Sequence, residues 1–523
     1  MKKKPEPSLP PDSALPNGLR RYLYFTAAVT GAAVMIVEIL GAKMLAPYLG
    51  TSHFVWTAQI AVTLVALACG YYAGGWLVDK SLRLGRLYAG ILIAGAYLAL
   101  TVPIKEPVAY GLLQFDLAVG SLLTSALLFF VPLSLLAMVG PFLIRVLTSS
   151  LSTVGGNVGR LTALSTFGSF IGTVLIGYLL IPFLPNSMTM FLTAAVLMGI
   201  GGGYFLIWRR TPGAVVLAGV VMAVGFLSGY AGVRKEDGPA RNTVELYRGN
   251  SNFGLLQVLQ EKNSPLRLYL NDYLTQNTYD TNTHQSISMF TWMLHGLAQA
   301  YTPRIEDVLC IGLGVGVVPM QFAQEGARVD VVEINPAVLP LAERFFDLQP
   351  RRLNISIGDG RCFVNRGSKQ YDAVILDAFL GESCPSHLMT REAFNAIRRR
   401  LKLGGTLVIN TFGDFEPGED YFAASLSKTL KDVFPSLRIH KGSYGNTLFV
   451  ASSNPNLTIL HPPNFDLVNS HCAAEVRDAF ETLRETHPSH GIILTDNFNP
   501  VEFYDAKNRE RMRRYLAVSM QPL

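Results

Sequence analysis

An α-helical transmembrane bundle, a small antiparallel β-sheet and an α/β domain with a doubly wound sheet, in that order, are what this 523-residue chain predicts. Three observations predict it. Seven apolar stretches fill the first 232 residues, short alternating runs begin at Asn242, and from Asp307 strands and helices take turns.

The apolar stretches fall near 22–45, 55–78, 87–104, 117–148, 161–184, 188–208 and 213–232. Each reaches or approaches the roughly 20 residues a helix needs to cross a bilayer. Residues 1–21 are a polar tail, and the Pro-rich stretch after Met1-Lys-Lys-Lys4 does not read as a cleaved signal peptide. The fourth stretch is overlong and carries Pro132 and Pro141, so it is expected to kink or break.

Charge orients the bundle. Up to residue 232 there are 14 Lys+Arg against 6 Asp+Glu; after it there are 30 against 32. The basic excess therefore belongs to the membrane half and argues for orientation rather than for a nucleic-acid partner. Lys2, Lys3, Lys4, Arg20, Arg21, Lys80, Arg83, Arg86, Arg145, Arg160, Arg209 and Arg210 collect on one side, with little more than Lys43 and Lys105 on the other. This places the N-terminus in the cytoplasm of a multi-pass cell-membrane protein. Seven crossings would then leave the second half outside. Three alternatives stay open: the seventh stretch does not cross, the broken fourth crosses differently, or the second half is extracytoplasmic.

Glu38 lies within the first span, where an ionisable group costs some 2.5–3.5 kcal/mol on insertion scales. It reads as a pair with Lys43 at the membrane edge or, alternatively, as a solute or proton site. Gly74-Gly75 and Gly168-Ser-Phe-Ile-Gly172 read as close helix-packing points.

In the second half, Val244-Glu-Leu-Tyr247, Gly254–Leu259 and Leu266–Leu270, with turn residues at 249–252, predict a small sheet and a gate segment over 242–300. The α/β domain occupies 301–523. Helices are expected after Val317, after Pro336 and over Arg391–Leu401, with Gly404-Gly405 ending the last before a strand Thr406–Asn410.

Four rungs of this domain carry chemistry: Val308–Gly316, Val329–Asn335, Ile357–Gly360 and Tyr371–Asp377. Gly312, Gly314 and Gly316 let the chain turn tightly and bring backbone N–H groups against a ligand at a helix start. Glu333, 21 residues after Gly312, ends the next strand, where a carboxylate accepts from both hydroxyls of a ribose. Asp359, next to Gly360, is placed to accept from an adenine amino group, and Asp377 would stand beside the reactive end of the ligand. A dinucleotide oxidoreductase is the competitor, but after Gly316 comes Val-Val-Pro-Met rather than the third glycine spacing of that fingerprint. The later rungs favour an S-adenosyl ligand and a Rossmann-like domain of the adenosylmethionine-transferase type.

Metal chemistry is not indicated. His487-Pro-Ser-His490 has no Cys or acid nearby to complete a ligand set, and five cysteines form no CxxC pair.

From about 242 to 452 the sequence resembles the spermidine synthase family of aminopropyltransferases. The run Leu270-Asn-Asp-Tyr-Leu-Thr-Gln276 is similar to its strand-and-gate segment, which implies that Gln276 contacts substrate and cofactor. The resemblance makes His284 a substrate-contacting histidine, Glu333 and Asp359 the ribose and adenine acids, and Asp377 the catalytic acid. Glu38–Gly50, Pro385–Thr390 and Thr495–Glu502 are similar to the membrane-fused branch. The resemblance implies an aminopropyl transfer from decarboxylated S-adenosylmethionine to a small-molecule amine such as putrescine, with the lipid bilayer as surroundings and a homodimer as assembly. The chain departs from the pattern at Val315 and Leu380, where soluble members carry Asp; Glu382 is the candidate replacement carboxylate. Two alternatives stand beside this reading. One is a methyltransferase using intact S-adenosylmethionine, which brings its own carboxylate. The other is a polyamine transporter that senses a nucleoside, in which Glu38 would be central.

Overall fold

The computed structural model describes residues 15–50, 52–148, 154–236, 242–379, 385–416, 418–442, 445–486, 490–504 and 511. Leu380, Glu382 and His487 lie outside them. The chain divides into two units, Met1–Met44 with Trp56–Val108 and Ser121–Asp237, and Leu45–Val55 with Ala109–Gly120 and Gly238–Leu523.

Among the described residues, seven helices are long and apolar enough to cross a membrane: α1 Asn17–Leu49, α2 His53–Lys80, α3 Leu84–Leu112, α4 Leu117–Leu147, α5 Val154–Phe183, α6 Asn186–Arg209 and α7 Pro212–Arg234. Most overrun the apolar stretches, because a helix continues through flanking polar residues once its backbone bonds are made. α3 even passes Pro103 and Pro107. The break expected in α4 is present as a wide turn at Ala126–Phe130 just before Pro132, and a second interruption at Met138 precedes Pro141. A π-type turn absorbs the carbonyl that proline leaves unpaired. The same device recurs at Ile176–Leu180, just ahead of Pro182.

Small residues set the helix spacing. An added Cβ at Gly168 or Gly172 would overlap the backbone of Ala28 or Ala32, so α5 packs on α1 as closely as backbones allow. Gly74 meets Met138 in the same way, whereas Gly75 faces open space. Among the described residues no ion pair joins Glu38 to Lys43; the first turn beyond Glu38 instead presents Gly41 to the buried Gln59.

The second unit carries two sheets. β1 Thr243–Ser251, β2 Gly254–Glu261, β3 Leu266–Asn271, β4 Leu274–Asp280 and β5 Gln285–Ser286 form an antiparallel meander in sequence order. β6 Asp307–Ile311, β7 Arg328–Glu333, β8 Asn354–Ile357, β9 Tyr371–Leu376, β10 Leu401–Phe412, β11 Ser436–Lys441 and β12 Asn446–Ser452 form the larger one, in the order β11-β12-β10-β9-β6-β7-β8. Pairing is parallel from β8 to β10, while β12 runs antiparallel to both neighbours.

β6 is buried throughout, as a central parallel strand covered on both faces must be. Its alternate residues feed two cores. Val308 and Cys310 pack with helices α8 Met289–Tyr301, α9 Val317–Gln324, α10 Val338–Phe345 and α14 Ala473–Glu481. Leu309 and Ile311 face α11 Gly360–Arg366, α12 Arg391–Arg400 and α13 Tyr421–Val433. The expected helix over 391–401 ends at Arg400, and Gly404-Gly405 sit inside β10, where its register against β9 slips between Leu401 and Thr406. The glycines mark a bulge rather than a helix stop.

Candidate active site

Parallel pairing brings the ends of β6, β7, β8, β9 and β10 to one edge, and the order places Gly312, Glu333, Asp359 and Asp377 around one crevice there. A cavity of about 1320 Å³ opens at this edge. It exceeds the roughly 300–1,000 Å³ of a pocket for one drug-sized ligand, leaving space for two reactants. Gln276, Gly312, Gly314, Val315, Glu333, Asp359, Gly360 and Asp377 all line it. Gly316 does not; it caps α9 at φ 87°, against Leu348.

Gly312 has φ 100°, and an added Cβ would overlap the Asp377 carbonyl oxygen. The first and last rungs can therefore approach each other only through glycine. Gly314, at φ 54°, has no atom within 4 Å of where a Cβ would stand, so the turn leaves open space above the sheet for a ligand.

Glu333 is buried and held by the turn it faces: Leu313 N–H donates to Oε2 at 2.9 Å and Asn335 N–H to Oε1 at 2.7 Å. Burial pushes its carboxyl up, and the backbone donors counter part of that. The remaining lone pairs suit vicinal hydroxyls. Asp359 caps α11 by accepting from Cys362 N–H at 2.8 Å, and His387 Nε2 lies 2.9 Å from its other oxygen. Desolvation opposes ionisation there, but the Cys362 and His387 bonds outweigh it and hold the carboxyl below its ordinary value.

Asp377 comes directly after β9, half-buried where it lines the cavity. Burial raises its carboxyl to about 6, although Asn410 Nδ2 donates to Oδ1 at 3.0 Å. Asn410 is 2% exposed, and its own carbonyl oxygen has no partner among the described residues. No motif singles out Asn410 in the sequence, yet a signal is there: it ends the expected strand Thr406–Asn410, just as Asp377 ends its own. His387 is likewise visible in the sequence only as one member of Pro385–Thr390.

His284 stands elsewhere. It is exposed, at φ 57°, with Nδ1 2.7 Å from Asp347 Oδ2, which also accepts from Tyr279 at 2.8 Å. It does not line the cavity. The positive φ turns its side chain toward α10's exit rather than toward the sheet edge. Val315, 3% exposed, lines the cavity as an apolar wall where an acid is the expected pattern. The other acids in the lining include Asp414, which is tied to Arg511 at 2.6 Å.

The Spermine/spermidine synthase domain matches residues 288–440. A polyamine aminopropyltransferase of Vibrio vulnificus is 33% identical over 38% of this chain and 70% of its own length. One from Oceanobacillus iheyensis is 22% identical over 84% of this chain and 87% of that protein. The spermidine synthase structure from Thermotoga maritima aligns with 46% of this chain and 81% of its own, at 19% identity and a TM-score of 0.36. With its matched domain preceded by an additional N-terminal helical region, the chain belongs to the spermidine synthase family and is an aminopropyltransferase-like enzyme.

Proposed function

We propose that this is an integral-membrane aminopropyltransferase that moves an aminopropyl group from decarboxylated S-adenosylmethionine to a small amine such as putrescine. The observation that carries the reading is the Asp377 carboxyl, held by Asn410 and lining one cavity with Glu333 and Asp359; desolvation raises it to about 6. In the transfer a C–N bond forms as the sulfonium C–S bond breaks, the sulfur leaves as a neutral thioether, and the new ammonium sheds a proton. Asp377 accepts from the amine, aligns it and can take that proton near neutral pH. Glu333 would hold the ribose, Asp359 the adenine amino group, and Gln276 the aminopropyl end.

Detergent-purified full chain incubated with putrescine and the decarboxylated cofactor should yield spermidine and methylthioadenosine by mass spectrometry. Product formation should slow by about a hundredfold or more in Asp377→Asn. Absence of both products with the wild type overturns the reading.

Methyl transfer from intact S-adenosylmethionine has one observation in its favour, the apolar Val315 in the cavity wall. A cofactor with its own carboxylate needs no acid at that point. S-adenosylhomocysteine formed from the intact cofactor, without spermidine from the other, selects this second reading.

Membrane integration is supported by the seven apolar helices and by outward-facing Leu64, Phe167, Phe170, Leu217 and Leu227. With the basic loops cytoplasmic, seven crossings deliver residue 242 to the outer face. Reporter fusions after residues 81 and 241 should report cytoplasmic and external positions; the same side for both rejects this topology.

A further inference from the structure

Asp359 is held from two directions that are far apart in sequence, and the second is a brace that the transfer chemistry does not use. Its Oδ1 accepts from Cys362 N–H in its own helix, and its Oδ2 lies 2.9 Å from His387 Nε2. His387 belongs to the segment Pro385–Thr390, and this segment is pinned along its length. Arg361 Nη1 donates to the His387 carbonyl at 2.8 Å and to Thr390 Oγ1 at 3.0 Å. Arg361 Nη2 pairs with Asp496 Oδ2 at 2.8 Å, while Thr390 Oγ1 donates to Asp496 Oδ1 at 2.6 Å. Asn499 Nδ2 donates to the Ser386 carbonyl at 2.7 Å, and Arg391 N–H donates to the Leu494 carbonyl at 2.8 Å. The turn Thr495–Phe498 closes on itself through reciprocal backbone bonds at 3.0 and 3.2 Å. Arg361 is the residue after Gly360, so both ends of the brace return to the Asp359 rung.

A carboxylate free to rotate can meet a donor or, once protonated, an acceptor. One fixed by a donor on each oxygen presents only its remaining lone pairs, in a defined plane. Such a site accepts an amino group and repels a carbonyl oxygen placed at the same point. We propose that His387 is a positioning residue for Asp359, that the Thr495–Asn499 turn exists to hold it there, and that together they make the cavity select 6-amino over 6-oxo purine nucleosides. The inference rests on the nucleoside reading of the cavity and adds the determinant of base choice.

The test is a binding comparison on the full chain in detergent, by calorimetry, with methylthioadenosine and methylthioinosine as probes. The wild type should prefer the amino compound by about tenfold or more, the scale of one charge-assisted hydrogen bond. His387→Leu should cut that preference to within about twofold, since Asp359 loses one of its two anchors. His387→Gln, whose side-chain N–H reaches a similar point, should restore it. Asp496→Ala, remote from the base, should lower the preference in the same direction as His387→Leu. An unchanged preference in a folded His387→Leu protein overturns the inference while leaving nucleoside binding intact. If His387→Leu does not fold, an unchanged preference in Asp496→Ala overturns it instead. A wild type that binds neither nucleoside overturns the cavity reading, and this inference with it.

Discussion

Asn410 Nδ2 donates to Asp377 Oδ1 at 3.0 Å, and among the described residues it is the side chain that eases ionisation of a carboxyl that desolvation otherwise raises. The pair joins the residue after β9 to the adjacent parallel strand β10, so its geometry is set by the sheet rather than by a loop. That relationship has a kinetic consequence. Activity that needs the ionised acid should rise through about pH 6, far above the usual carboxylate range. Removing the donor in Asn410→Leu raises the carboxyl further, so the acid limb of kcat/KM moves to higher pH. Asp377→Asn should lower kcat by about 10²–10⁴, the usual span for an acid–base residue. An acid limb that stays put in Asn410→Leu contradicts the assignment.

The same carboxyl bears on stability. Its folded value, about 6, lies above the ordinary 3.8, so the folded state binds this proton more tightly than the unfolded chain. Its contribution therefore favours folding at low pH, fades as pH rises from about 4 to 6, and is gone above that. A shift of some two units corresponds to about 3 kcal/mol at most. Asp377→Asn should accordingly unfold at a higher temperature than wild type at pH 7.5, and the gap should shrink toward pH 4. Thermal melts at the two pH values measure it.

Two glycines of one turn should behave differently on substitution. Gly312→Ala forces a Cβ onto the Asp377 carbonyl oxygen at φ 100°, so it should destabilise the domain by several kcal/mol and reduce yield of folded protein. Gly314→Ala meets no protein atom and costs about 1 kcal/mol for its left-handed backbone. Its methyl stands in the open crevice, so the loss should appear in nucleoside affinity rather than in melting temperature. Equal melting losses in the two variants would contradict the steric argument.

Val315→Asp returns an acid to the cavity wall. Burying an unpaired carboxyl should destabilise the protein without ligand by about 1–3 kcal/mol. For an aminopropyltransferase it should also lower KM for the decarboxylated cofactor, whose free amine gains a partner. For a methyltransferase it should raise KM for the intact cofactor, whose carboxylate is repelled. Steady-state kinetics with both cofactors separate the outcomes.

His284→Ala should change turnover by less than about twofold and stability by about 0–1 kcal/mol, the worth of an exposed pair. The imidazole and the Asp347 carboxylate it touches are 68% and 57% exposed. A large loss of activity would return His284 to the substrate site.

Much of this is legible in the chain itself. Apolar stretch length marks the seven helices because a bilayer-length helix is a local property, and Pro132 and Pro141 mark the interrupted one because proline's missing N–H is local too. Glycine turns and strand-end acids locate Gly312, Glu333, Asp359 and Asp377, since parallel strands all deliver their ends to one edge. Tertiary structure decides what spacing cannot carry. Asn410 meets Asp377 across 33 residues, and Asp496 reaches Arg361 across 135, through contacts that exist only once the sheet is ordered and its helices are packed. His284 leaves the site for a different reason: a backbone twist at one residue sends its side chain to Asp347, and a motif match carries no direction.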